Sequence, residues 1–391
     1  MKALHSVSTR RAFIRRSLAF AAAPSLFTSC GSGDGSYGPS PPIPSSLPPS
    51  TGSGLVTLSR CRSYGVEAET ALRESFDRLG GISALVRGKT VTVKVNLTGR
   101  PFAWLWGRPP GETYLTHGDT ALGLAHILLD EGVRRVRFVE SAPFLEPMAE
   151  VLDQAGWDVR ALLALPGVEL ENTRNLGLGA RYARLSVPGG GYLFSYFELN
   201  HAYEETDVLV SLCKLKEHAT AGVTLSLKNL FGITPNALYG DQAGTEDALG
   251  YRYPIHASAG AGLPGEKAGF SALGAGVRVP RTIADLAAAR PIDLAIVDGI
   301  SAIRGGEGSW NAGIAPTAPG VLVVGRNAVS TDAVAVAVMG FDQPRAPRGV
   351  APFAACDNHL LLAEQAGLGT ADLGRIEVRG LSIPEARYPY R

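Results

Sequence analysis

The chain has 391 residues, 45% of them apolar and 19% charged, with 37 basic against 36 acidic side chains. Such a composition buries a large core and has no basic excess, which excludes nucleic acid or an anionic membrane surface as a charge-driven partner. Its four cysteines, Cys30, Cys61, Cys213 and Cys356, stand far apart with no CxxC pair; this spacing argues against a cysteine-held iron–sulfur cluster or structural zinc site and leaves a Cys61–Cys356 disulfide open.

Residues 1–30 read as an address. TRRAFIRR at 9–16, followed by the short apolar run SLAFAAAPSLF, resembles a twin-arginine export signal. The run is too short to span a bilayer. This makes the twin-arginine export machinery the expected partner and the periplasm or cell envelope the expected location. LFTSCGSG, at the end of the run, resembles a lipoprotein cleavage box with Cys30 as the acylated residue; removal of Cys30 by an ordinary peptidase is the alternative. The Gly, Ser and Pro tract at 31–54 builds no core and suits a tether, so the lipid anchor is the one membrane contact expected.

From Leu55 to Arg391 we expect one α/β domain: a mainly parallel sheet flanked by helices, with an inserted β-hairpin-rich segment. A helix over 66–79 leads to the strand VTVKVNL, whose valines face one way while Lys94 and Asn96 face the other. Residues 102–119 form an aromatic, Gly- and Pro-rich loop, and Asp119 or Thr120 caps the next helix. The strand VRRVRFVES follows at βαβ spacing, with Glu140 at its carboxyl end. A helix over 143–157, a strand around Val159 and hairpin material from Pro166 to Tyr203 come next.

DVLVSL, starting at Asp207, has the aliphatic character of a buried strand and runs into Lys214, Lys216 and His218. After Ala219 the spacing becomes helical, with Thr220, Thr224 and Lys228 in one stripe and Gly232 closing the helix. A long loop spans 239–277 and holds Tyr251, Tyr253 and His256; it is either a lid or a flexible insertion. A helix then starts at Pro280, and the strand IDLAIVDG ends in Asp298. The strand GVLVVG leads to a helix capped by Ser330 or Thr331 with Asp332 in its first turn. A last helix over 357–366 and an edge strand, RIEVRG, complete the chain.

KLKEHATAGVTLSLKNLFGITP, at 214–235, resembles the signature of the domain of unknown function 362 family, a "K.H...G.T...KN..G" core. VKVNL, VDGISAIRGGEG and NAVSTDAVAVAVMG extend the likeness over most of residues 55–380. The resemblance implies a fold and a set of positions, including Thr224 and Asn229, but no reaction. Some members carry ferredoxin-like cysteine motifs; this chain has none, so an iron–sulfur cofactor does not carry over.

In an open parallel sheet the carboxyl ends of the strands line the ligand crevice. Lys94, Asn96, Glu140, Lys214, Lys216, His218 and Asp298 are all expected on that rim. Two chemistries fit. In one, Lys94, Asn96, Lys214, Thr224 and Asn229 help hold a small carboxylate or phosphate while His218, Lys216 or Lys228 moves a proton. In the other, Glu140 and Asp298, with His218 and Asp332, bind a divalent metal and the lysines hold its anionic substrate. A lipid-anchored protein that captures an anion without turnover is a third reading.

Overall fold

The computed structural model describes residues 54–99, 101–256, 262–268 and 274–390. The expected export signal, the expected acylation site Cys30 and residues 31–53 of the expected tether lie outside the described residues.

Eight strands form one sheet: β1 (Leu55–Arg60), β2 (Thr90–Lys94), β3 (Arg135–Glu140), β4 (Val168–Asn172), β5 (Val208–Lys214), β6 (Leu294–Gly299), β7 (Val321–Gly325) and β8 (Glu377–Gly380). They run in the order β8-β1-β7-β6-β5-β2-β3-β4, and every pairing is parallel except the two made by β7. The expected α/β architecture is therefore what forms. The carboxyl ends of β2, β3, β5 and β6 share one edge, while that of β7 lies at the opposite one.

Strand alternation sorts the aliphatic side chains onto two faces. Val91, Val93, Phe138, Val210 and Ile296 pack under α1 (Val66–Arg78) and α2 (Gly118–Asp130). Leu209, Cys213, Val297 and Val323 face a layer containing α6 (Ala275–Ala289), α7 (Ala328–Val338) and α8 (His359–Gln365). Each fully buried Val or Leu contributes about 1.5–3 kcal/mol. Shorter helices include α3 (Met148–Gln154), α4 (Val159–Leu163) and α5 (Leu225–Asn229).

Several local expectations need correction. Residues 159–163 are helical, not a strand, because Asp158 caps them by accepting from Ala161 N at 2.9 Å. The preceding helix begins only at Met148, after Pro147. His117, not Asp119 or Thr120, caps α2, its Nδ1 accepting from Asp119 N at 3.1 Å. The stripe from Thr220 to Lys228 does not exist as one helix: Glu217–His218 and Gly222–Val223 pair as a small antiparallel turn, and α5 starts at Leu225. Gly222 at φ +77° makes that reversal, a backbone shape that side chains disfavour. Helix α6 begins at Ala275 with Pro280 inside it. The Gly276 carbonyl that Pro280 leaves without its helical donor is taken by Asp357 N at 2.7 Å. Asn327, rather than Ser330 or Thr331, caps α7. Of the hairpin segment, Ala183–Ser186 pairs with Tyr196–Leu199, whereas β4 joins the main sheet.

Cys61 and Cys356 are free and belong to the cores on opposite sides of the sheet, so the disulfide left open by the sequence does not form. Among the described residues, no helix is long and apolar enough to cross a membrane.

Candidate functional site

Because side chains alternate, Lys94 and Lys214 leave adjacent strands on opposite faces. Lys94 Nζ lies 2.6 Å from Glu140 Oε1 and also donates to Val95 O at 2.8 Å and Asn229 Oδ1 at 3.3 Å. Asn229 returns its amide to Lys94 O and Ser211 Oγ, and Asn96 Nδ2 donates to Asn229 Oδ1. Glu140 is further held by Leu97 N and Ser141 N, both at 2.7 Å. On the other face, Lys214 Nζ reaches Asp298 Oδ2 at 2.9 Å, Tyr64 OH at 2.6 Å and Ser301 O at 2.9 Å. Both ammonium groups are buried: burial pushes their pKa down while the paired carboxylate pushes it back up.

Lys216 is buried without a carboxylate. Its Nζ donates to Tyr114 O at 2.6 Å and Glu307 O at 2.9 Å, tying two loops to the strand end. Burial lowers its pKa to about 7, with Glu307 opposing the shift. Lys228 is only partly buried, and its Nζ lies 4.5 Å from the centroid of the Phe231 ring. Among the described residues no hydrogen-bond or ion-pair partner reaches that ammonium group. Burial brings its pKa to about 8.

Around Lys228 stand imidazoles kept neutral. His218 Nδ1 accepts from Thr220 N at 3.1 Å, which places any ring proton on Nε2; burial, then the Lys228 charge, holds its pKa well below the usual value. His256 packs 4.5 Å from Phe231 and is pushed down to about 4 by burial and Lys228. His359, buried against the edge of Phe353, falls to about 3 for the same two reasons. Glu307 accepts from Ala219 N at 2.9 Å and from Trp310 Nε1 at 3.0 Å. Arg252, reaching in from the long loop, binds Ser141 and Thr234 O. Thr224 is buried, and among the described residues its Oγ1 has no hydrogen-bond partner.

Residues 91–337 match the family described as domain of unknown function DUF362. The chain belongs to that family. A thylakoid-associated protein of Synechocystis, sll1697, is 29% identical over 186 residues, which is 47% of this DUF362 chain and 51% of that protein. This chain thus spans about half the length of that curated relative. No solved structure matches it.

Thr224, Lys228 and Asn229 therefore lie on the α5 side of the sheet with Lys94, Asn96 and Glu140, and the Lys228 charge acts on His218, while Lys214 and Asp298 serve the other face and Lys216 ties the loops beyond the strand end. The proposed metal set does not assemble. Glu140 and Asp298 are each closed by a lysine, and Asp332 lies elsewhere, accepting from Ser226 N, Ser226 Oγ and Leu227 N to fasten the start of α5. Among the described residues no three His, Cys, Asp or Glu side chains converge as metal ligands. The physical reason is that β7 is antiparallel, so the helix carrying Asp332 does not start on the shared rim.

Sequence reasoning missed Tyr64, Glu307, Arg252 and His359. Glu307 was findable, since it lies in the GGEG run of a family segment; Arg252 shares the long loop with His256. Tyr64 and His359 carry no local signal, because only packing brings them to the rim.

Proposed function

We propose that this protein binds a small anion, a carboxylate or phosphate, over Lys228, and acts on it with His218 as the group that accepts or returns a proton. The observation that supports this most is a partly buried ammonium that no hydrogen-bond or ion-pair partner reaches among the described residues, near an imidazole kept neutral. A bound oxyanion supplies the missing partner and raises the pKa of Lys228 from about 8. Lys94 and Asn229 set the position of α5, and Lys216 fixes the loops that carry Tyr114 and Glu307. The charge balance of the site favours an anion over a cation.

The test is calorimetric titration of the purified protein with orthophosphate and a panel of small carboxylates, in two buffers of different ionisation enthalpy at pH 8. Saturable binding with net proton uptake, lost in Lys228→Ala, is the expected result. Equal binding by wild type and Lys228→Ala would remove the site from consideration. Mass analysis of the recovered ligand separates turnover, expected to fall in His218→Ala, from capture alone.

Export and envelope attachment belong to the same proposal, supported by the twin arginines Arg10 and Arg11, by the Cys30 box and by the thylakoid association in the relative's name. Arg10→Lys with Arg11→Lys should retain the precursor in the cytoplasm, and Cys30→Ser should release the exported protein from the membrane fraction.

A further inference from the structure

Of the four tryptophans, only Trp157 is buried; Trp104 is 67% exposed, Trp106 50% and Trp310 45%. The three exposed rings belong to one region of the carboxyl edge. Leu105 and Arg108 exchange both backbone hydrogen bonds, at 3.1 and 2.9 Å, closing a two-residue hairpin with Trp106 and Gly107 at its tip. Both tip residues have positive φ, +53° and +73°. That backbone shape suits Asn, Asp or Gly, so a tryptophan at the first tip position is held outward at a conformational cost. Trp310 is tied to this loop: its ring packs against Gly99 and meets Tyr114 edge-on at 6.1 Å, while Tyr114 OH accepts from Ala103 N at 2.7 Å. Leu145, 67% exposed, stands beside Phe144, which packs on Phe102 at 5.1 Å.

We infer that this aromatic edge is a second, direct contact with a phospholipid bilayer, with the Trp104–Trp106 hairpin entering the headgroup region. Amphipathic indole rings partition to that depth, and Arg108, partly exposed at the base of the hairpin with Nη1 donating to Ser301 Oγ at 3.4 Å, adds a cation beside them. The chain preceding β1 permits the orientation. Leu55 leaves the sheet at the edge opposite the tryptophans, about 20 Å away along a six-residue strand. The tract at 31–54 extends to about 80 Å when fully drawn out, so a protein anchored at Cys30 can turn its carboxyl edge to the membrane. Only the presence of a membrane rests on the export proposal; the contact itself is independent of acylation.

The experiment uses the signal-processed chain carrying Cys30→Ser, mixed with phosphatidylcholine vesicles with and without brominated acyl chains. Wild type is expected to co-sediment with the vesicles, with tryptophan emission shifted to the blue and quenched by bromine. Trp104→Ala combined with Trp106→Gly, which keeps the turn, should lower partitioning at least tenfold while orthophosphate binding at Lys228 stays unchanged. Partitioning without phosphate binding in wild type would leave this inference standing and sink the anion site. Absence of vesicle binding, equal partitioning of the double variant, or a dimer that the double variant disperses in sedimentation velocity would each overturn it.

Discussion

Lys94 and Lys214 lie deeper than Lys228 yet are the quieter charges. Each has a carboxylate at 2.6 or 2.9 Å and further acceptors from the backbone or a neighbouring side chain, so nothing on those ammonium groups is left for a ligand. Lys228, partly buried, has an aromatic face and, among the described residues, no ion-pair partner. The contrast separates lysines that close the strand ends from a lysine that leaves the site incomplete. A charge buried with its partner is a structural element, whereas one kept near neutral histidines without a partner is available to a ligand.

The largest effect expected from breaking this contrast is at the closed pairs. Glu140→Ala strands the buried Lys94 ammonium and should cost about 3–5 kcal/mol in urea denaturation, whereas Lys94→Met with Glu140→Leu should recover much of that loss. A single substitution costing under about 1 kcal/mol would mean the pair is hydrated.

Asp332→Ala comes next. It leaves the Ser226 and Leu227 amides without an acceptor at the start of α5, with an expected loss of about 2–3 kcal/mol. If α5 positions Lys228, phosphate affinity should fall in parallel.

Lys228→Ala sharpens the contrast from the other side. Loss of a charge-assisted hydrogen bond of about 1.5–3 kcal/mol weakens anion binding by roughly tenfold or more, while stability is unchanged. A stability loss like that of Glu140→Ala would place Lys228 among the closing lysines.

A further effect is in the pH dependence. Lys216 has a folded pKa of about 7 against an ordinary value of 10.5, so between these limits the unfolded chain binds a proton that the folded chain does not. Its contribution makes stability rise as pH increases from 7 to 10.5, and Lys216→Met should flatten that rise in denaturation curves measured across the window. An unchanged slope would mean Lys216 titrates normally.

Much of the sheet was legible because its strands are buried on both faces and read as aliphatic runs: VTVK, RVRFVE, VLVSL and LAIVDG all fall where expected. The segment around Gly222 was not, since Val223, Leu227 and Leu230 mimic one helical stripe although Val223 belongs to a turn, whose Gly222 packs against Phe353, and only Leu227 and Leu230 follow in helical turns. Periodicity records which side chains are apolar and is blind to a reversal within the segment. Likewise, proline at 280 looked like a helix start, and only the distant Asp357 amide makes it tolerable inside α6.

By itself the sequence determined the α/β class, the burial of the strands and the presence of lysines where strands end, because these follow from alternation and from the cost of burying charge. The tertiary structure alone decided which lysine meets which carboxylate. Strand direction placed Asp332 away from Glu140 and Asp298, and strand face sent Lys94 and Lys214 to opposite sides of the sheet. Direction and face are properties of pairing between distant segments, so what separates a closed ion pair from an open ammonium is written in contacts rather than in local order.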